Sequence, residues 1–130
     1  MECCLGKYSD ICYGLMRIVV GLLFACHGAQ KLFGLFGGIG ASASPLITTA
    51  GVIEFFGGAL IALGLWAGYV GFITSGEMAA AYFRMHAPGG FWPIVNKGEL
   101  AVLYCFVFLY IASKGSGSLS IEALIKKRHV

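Results

Sequence analysis

Eight polar side chains interrupt otherwise apolar stretches of this sequence: His27, Lys31, Glu54, Glu77, Arg84, His86, Asn96 and Glu99. Imidazoles and carboxylates exchange protons when their surroundings tune them. Lysine and arginine donate hydrogen bonds to oxygen acceptors, and an amide both donates and accepts. A few such groups converging within apolar walls make a small-ligand site. The residues that qualify as ligand-binding candidates are His27, Lys31, Glu54, Glu77, Arg84, Asn96 and Glu99. Walker, Rossmann, zinc-protease and nucleophile-elbow patterns are absent, so no catalytic residue can be assigned. No metal site is expected, because nothing fixes an axial haem geometry for His27 and His86.

These residues need elements to carry them, and composition says which. Of the 130 residues, 58% are hydrophobic and 12% are charged, with a mean hydropathy of +0.84. A soluble domain carries about 25% charged residues, and a small one has the most surface to cover. A soluble monomer and a disordered chain are both excluded on these grounds. The sequence predicts an all-α, integral membrane four-helix bundle as one domain spanning 1–130. A spanning helix needs about 17–25 apolar residues, and spans are expected over about 11–33, 49–65, 67–84 and 97–113. The apolar stretch from Thr49 to Phe83 is too long for one crossing and must fold back near Leu65–Gly68. A Gly/Ser/Pro loop over Gly37 to Pro45 and a Pro/Gly/aromatic loop over Ala87 to Val95 separate the other spans.

Four spans put both termini on one side. That side carries Lys7, Lys114, Lys126, Lys127 and Arg128, against Lys31, Arg84 and Lys97 opposite. The positive-inside rule therefore places both termini in the cytoplasm of a multi-pass inner (plasma) membrane protein. The first seven residues lack a basic n-region and a small-residue cleavage site, so no removable signal peptide is expected. The net charge of +3 is too weak and scattered for nucleic acid. Five cysteines (Cys3, Cys4, Cys12, Cys26, Cys105) show no C-x-x-C spacing, and no disulfide framework is expected. The basic tail over 117–130 is predicted to form a short amphipathic helix at the lipid headgroups. Ser120 would be its cap, and Glu122 and the Lys-Lys-Arg run would suit the two ends of its dipole.

Charge inside a bilayer costs at least about 2.5–3.5 kcal/mol per residue. With this topology, His27, Lys31, Glu54, Glu77, Arg84, His86, Asn96 and Glu99 all fall in the outer half of four different helices. Arg17 lies deep on the cytoplasmic side. Gly14, Arg17, Gly21, Phe24, Gly28 and Lys31 share one helical stripe, Glu54 shares a face with Gly58, and Glu77 aligns with Ala81 and Arg84. Small residues there let helices approach closely and leave homo-oligomerisation open. Three readings fit the cluster: mutual neutralisation that fixes helix register, a small-ligand site opening outward, or a path for ions or protons. Asn96 and Glu99 also match a capping box for the fourth helix, and Phe91, Trp92 and Pro93 match an interfacial wedge.

The segments HGAQKLFG (His27 to Gly34), GVIEFFGGALIALGL around Glu54, FWPIVNKGELAVLY (Phe91 to Tyr104) and GSGSLSIEAL (Gly115 to Leu124) together resemble the DoxX family of small four-span membrane proteins. The resemblance runs from about Leu15 onward, and His27, Lys31, Asn96 and Glu99 match its motifs directly. Cys3 and Cys4 lie outside the pattern. The resemblance implies a membrane subunit linked to quinone chemistry. Other members are associated with thiol and oxidative-stress partners, and distant ones act without enzymatic chemistry. The expectation is a quinone-associated subunit of a membrane oxidoreductase system. His27 and Lys31 would bond the quinone carbonyls and Glu54 or Glu77 would exchange protons, while a redox partner protein would supply or remove electrons. The alternatives are a non-enzymatic scaffold or lipid- or small-molecule-binding protein, and a small transporter.

Overall fold

The computed structural model, which describes residues 3–40 and 44–129, is all-α, with no strand among the described residues. Its helices are α1 (Ser9–Phe33), α2 (Pro45–Leu63), α3 (Ala67–Ala81), α4 (Pro93–Asn96), α5 (Glu99–Lys114) and α6 (Ile121–Arg128). Residues 41–43 of the expected 37–45 loop, and residue 130 of the basic tail, lie outside the described residues. α2 starts earlier than hydropathy suggested because Ser44 Oγ accepts from Ile47 N–H (3.2 Å) and Pro45 occupies the first turn, where its missing N–H costs nothing. The segment Gly6–Phe33 (28 residues, mean hydropathy 1.7) and α2 (19 residues, 1.9) are long and apolar enough to cross a membrane. α5 has 16 residues, and α3 is extended by one π turn over Tyr82–His86.

α1 and α2 lie antiparallel and unusually close, and glycine is the reason. A Cβ on Gly28 would run into the backbone of Phe55 and Gly51, and one on Gly21 into Ala62 N and Gly58 O. The predicted α1 stripe is the buried one: Gly14, Arg17, Gly21, Phe24 and Gly28 are all inside. α3 packs back against α2, with Thr74 Cγ2 beside Gly57, and against α5, where Gly71 faces Phe108 O and Ala112 N. Ser75 Oγ donates to Cys105 O at 2.8 Å across the same seam. Phe24, Tyr104 and Phe108 fill the middle, with ring centroids 4.6–5.4 Å apart.

One end of the bundle is tied by Arg17, which is 0% exposed. Its guanidinium donates to Ile61 O, to Ala62 O (2.9 Å) and to Leu119 O. The last carbonyls of a helix have no intrahelical donor and carry its negative dipole end. Arg17 thus satisfies the end of α2 and holds the chain that precedes α6. The turn between α2 and α3 falls where the fold-back was predicted, and Gly64 there takes a left-handed conformation (φ 70°). A Cβ on Gly64 would also reach Arg17 Nη1.

The tail is knitted to that turn. Ser116 Oγ accepts from Ala67 N–H (3.3 Å) and donates to Glu122 Oε2 (2.7 Å), and Glu122 N–H bonds Gly64 O at 3.3 Å. Tyr13 Oη donates to Gly115 O at 2.5 Å. Ser120 caps α6 by accepting from Ala123 N–H (3.1 Å), and Lys126, Lys127 and Arg128 occupy its last turn.

Arg17→Met strips a donor from three carbonyls; Ile61 O keeps the Gly64 N–H, while Ala62 O and Leu119 O lose theirs, at about 1–3 kcal/mol for each one left buried and unbonded. The expected loss is about 3–5 kcal/mol, read as a fall in the unfolding midpoint in detergent. At the tail, the Ser116 hydrogen bond, followed by that of Lys126, holds the Glu122 carboxyl below its usual range. This contribution is present above the ordinary carboxylate pKa of about 4.3 and is lost as pH falls through the lower folded value. Ser116→Ala should move acid release of α6 to higher pH, measured by limited proteolysis across a pH series.

Candidate functional site

At the end of the bundle away from Arg17, antiparallel packing brings one polar level of α1, α2, α3 and α5 together. Lys31 comes from the last turns of α1 and Glu54 from the middle of α2. They form an ion pair in which Glu54 is 1% exposed, while the Lys31 side chain keeps 32%. The pairing follows from the close α1–α2 contact, since Lys31 Cβ itself lies against Gly51. Glu77 of α3 is half-buried and within Coulombic reach of both Glu54 and Lys31. The Gly57–Thr74 contact sets this register, because three residues along each antiparallel helix put Glu54 opposite Glu77. His27, one turn before Lys31, stands edge-on to Tyr104 of α5 at 6.0 Å.

Lys31 satisfies one oxygen of Glu54. The other, Glu54 Oε2, is buried without a hydrogen-bond partner among the described residues, and so is Glu77 Oε2. Buried polar atoms normally find a partner, and acceptor oxygens of this kind are costly to leave bare. The site can therefore accept hydrogen bonds from a donor placed between α2 and α3. Tyr104, which packs against Phe24 and Phe108, lies within Coulombic reach of Glu54.

The other candidate residues lie elsewhere. Asn96 belongs to a loop network: its Nδ2 donates to Gly90 O (2.6 Å) and to Tyr82 Oη (3.2 Å), Tyr82 Oη donates to Phe91 O, and His86 Nδ1 lies 3.2 Å from Asn96 O. The capping box is not formed. α5 starts at Glu99 with Gly98 before it, Lys97 takes a left-handed conformation, and Asn96 Oδ1 accepts from Gly98 N–H (2.8 Å). The intervening α4 uses the residues that a capping box would need as a lead-in. Glu99 is exposed, and so is Arg84. The expected Glu77–Ala81–Arg84 face ends at the π turn over Tyr82–His86, which rotates Arg84 out of the α-helical register.

Among the described residues, no three His, Cys, Asp or Glu side chains are grouped to hold a metal, and the five cysteines are free thiols. Cys105 Sγ lies 3.5 Å from Ser75 Oγ, and Cys26 is exposed. Sequence reasoning passed over Tyr104, which closes the site beneath His27. The available signal was a hydroxyl-bearing aromatic five residues past Glu99 in a run of Leu, Val and Phe. Two open grooves lie at the opposite end: about 640 Å³ beside Cys3, Cys4, Cys12 and Lys114, and about 390 Å³ beneath α6.

Lys31→Met should destabilise the protein by about 3–5 kcal/mol, because it leaves Glu54 charged and unpaired in the interior. The double variant Lys31→Met/Glu54→Met should recover most of that loss. A double-mutant cycle of unfolding midpoints gives the coupling.

Comparison with known proteins gives a consistent picture. The DoxX family model matches residues 14–87. An uncharacterized protein of Haemophilus influenzae is 42% identical over 125 residues, covering 91% of this chain and 93% of that protein. A Bacillus subtilis protein described as putative oxidoreductase CatD is 26% identical over 129 residues, covering 95% and 93%. No solved structure matches the chain.

Proposed function

The chain belongs to the DoxX family of small membrane proteins, and on that premise we propose that it is a quinone-associated subunit of a membrane oxidoreductase system, with its ligand site at His27, Lys31, Glu54 and Glu77. The observation that carries this reading is the pair of buried, unbonded oxygens on Glu54 and Glu77 beside the Lys31 ammonium. Such an arrangement in an apolar wall suits a flat, largely apolar molecule with polar oxygens at its edge. His27 and Lys31 are the donors that would orient carbonyl oxygens, and Glu54 or Glu77 would exchange the protons that accompany two-electron chemistry. The oxidoreductase description of the Bacillus subtilis relative supports the same class. The chain has no motif for an electron-carrying group, so a redox partner protein would deliver or remove electrons.

The accompanying topology is a four-span, multi-pass protein of the inner (plasma) membrane, with residues 1–130 as one domain. The spans are α1, α2, α3 with its π turn, and α5. The lysines and arginine at the Arg17 end favour both termini in the cytoplasm, with α6 lying on the headgroups. The polar level then sits in the outer leaflet. Arg84, Asn96 and Glu99 would act from the outer rim of the site, Asn96 by shaping the loop between α3 and α5.

A second reading is a non-enzymatic scaffold that docks a partner through that loop. It is favoured by the exposure of Phe91, Trp92, Ile94 and Val95 together with Arg84 and Glu99. Mass spectrometry of the small molecules that co-purify in mild detergent, with and without His27→Gln, separates the two. The quinone reading expects a stoichiometric quinone in the wild type that is lost in the variant. A different small molecule lost in the variant keeps the site and removes the quinone. Loss of a co-purifying protein with no ligand change favours the scaffold.

A further inference from the structure

We propose that the groove beneath α6 binds an anionic phospholipid, with one acyl chain against its apolar lining and the phosphate on Lys127 and Arg128. The inference rests on the four-span topology, in which α6 lies on the headgroups, and is independent of the quinone reading.

The groove, about 390 Å³ in volume, is lined by Ile18 of α1, Leu63 of α2, Leu119, and Ile121 and Leu124 of α6. Ser120, which also lines it, is already committed: its Oγ donates to Gly117 O (2.6 Å) and accepts from Ala123 N–H (3.1 Å). Leu63, Leu119 and Leu124 remain exposed, a surface that water penalises and a hydrocarbon chain matches. The bonds from Arg17 to Leu119 O and from Glu122 N–H to Gly64 O fix the first turn of α6 over this surface. The groove is therefore part of the fold and not a gap beside a loose tail.

Helical spacing then supplies the charge. Residues three and four apart share a helix face, and Lys127 and Arg128 follow Leu124 by those intervals. Both cations thus stand one turn beyond the residues of α6 that line the groove. The acids at this end are engaged elsewhere: Glu122 accepts from Ser116 (2.7 Å) and pairs with Lys126 (3.0 Å), and Asp10 lies 3.9 Å from Lys114. Among the described residues Lys127 and Arg128 have no ion-pair partner. A soluble anion would meet these cations and leave the apolar lining bare. A zwitterionic lipid would cover the lining but set its own ammonium beside two cations. An anionic phospholipid satisfies both, since basic side chains at a membrane surface are drawn to anionic headgroups.

The test is native mass spectrometry of the full-length protein in mild detergent, given equal amounts of phosphatidylglycerol and phosphatidylcholine with the same acyl chains. Phosphatidylglycerol is expected to bind about tenfold or more tightly, as two basic side chains at an anionic headgroup imply. Lys127→Gln/Arg128→Gln alters only exposed side chains and should bring the two lipids to near equality. Leu124→Glu puts a carboxylate at the groove and should abolish the phosphatidylglycerol adduct. Equal binding of both lipids to the wild type, or an unchanged preference in either variant, overturns the proposal. So does loss of the adduct on adding inorganic phosphate, which would make the cations a site for a free anion. Tryptic cleavage at Lys126, Lys127 and Arg128, compared between detergent and phosphatidylcholine nanodiscs, tests the topology separately. Protection in nanodiscs without a lipid preference keeps α6 on the headgroups and removes the proposal; no protection removes that placement, and the proposal with it.

Discussion

Everything in this fold is referenced to the guanidinium of Arg17. A buried arginine is costly unless its donors are used, and here three backbone carbonyls take up its Nη protons, one of them, Ile61 O, shared with the Gly64 N–H. Two of them belong to the end of α2 and the third to the strand of chain before α6. One side chain thereby fixes the axial position of α1 against α2 and closes the tail over the turn into α3. The glycine contacts at Gly21 and Gly28 then set how near the two helices lie. Close packing in a lipid-like setting depends on such small residues, since burial of apolar surface gives no net drive there.

The two ends of the bundle solve opposite problems. At the Arg17 end, excess carbonyl acceptors are met by a donor, by the Ser116 hydroxyl and by the Gly64 turn. At the other end, three ionisable groups meet and acceptors are left over. The first end behaves as a clamp with its polar groups largely satisfied, with Arg17 Nε the exception. The second retains unspent hydrogen-bonding capacity on two rigid helices, which is where a ligand gains most from preorganised partners. Because α2 and α3 are joined by a tight turn held at the clamp, the spacing of Glu54 and Glu77 is inherited from interactions several turns away.

Much of this was legible in the residues. The helical class, the α1 stripe from Gly14 to Gly28, a fold-back near Leu65–Gly68 and the Ser120 cap all follow from periodicity, length and cap chemistry. The meeting of Lys31, Glu54 and Glu77 was legible because the depths estimated from helical rise placed all three toward one end of an antiparallel bundle. Arg84 and Glu99 were assigned by the same depth argument and are exposed. Depth says how far along a helix a residue lies, and says nothing of azimuth once a π turn or an extra short helix intervenes. Asn96 shows the same limit: its type and spacing suit a helix cap, yet the left-handed Lys97 inserts a bend that turns it toward Gly90 and Tyr82. Tyr104 escaped notice because a tyrosine within an apolar helix reads as core until a histidine is found against its edge.

The Lys31–Glu54 pair joins two helices that are consecutive in the chain, and this bears on how the protein reaches its membrane. In the four-span reading, α1 presented alone to an apolar phase carries an unmatched ammonium, and α2 alone carries an unmatched carboxylate, each costing about 2.5–3.5 kcal/mol. Delivered together as a hairpin, the two charges cancel before either meets lipid. Glu77 arrives later with no cation of its own, beside a hairpin in which the Lys31 and Glu54 charges are already paired.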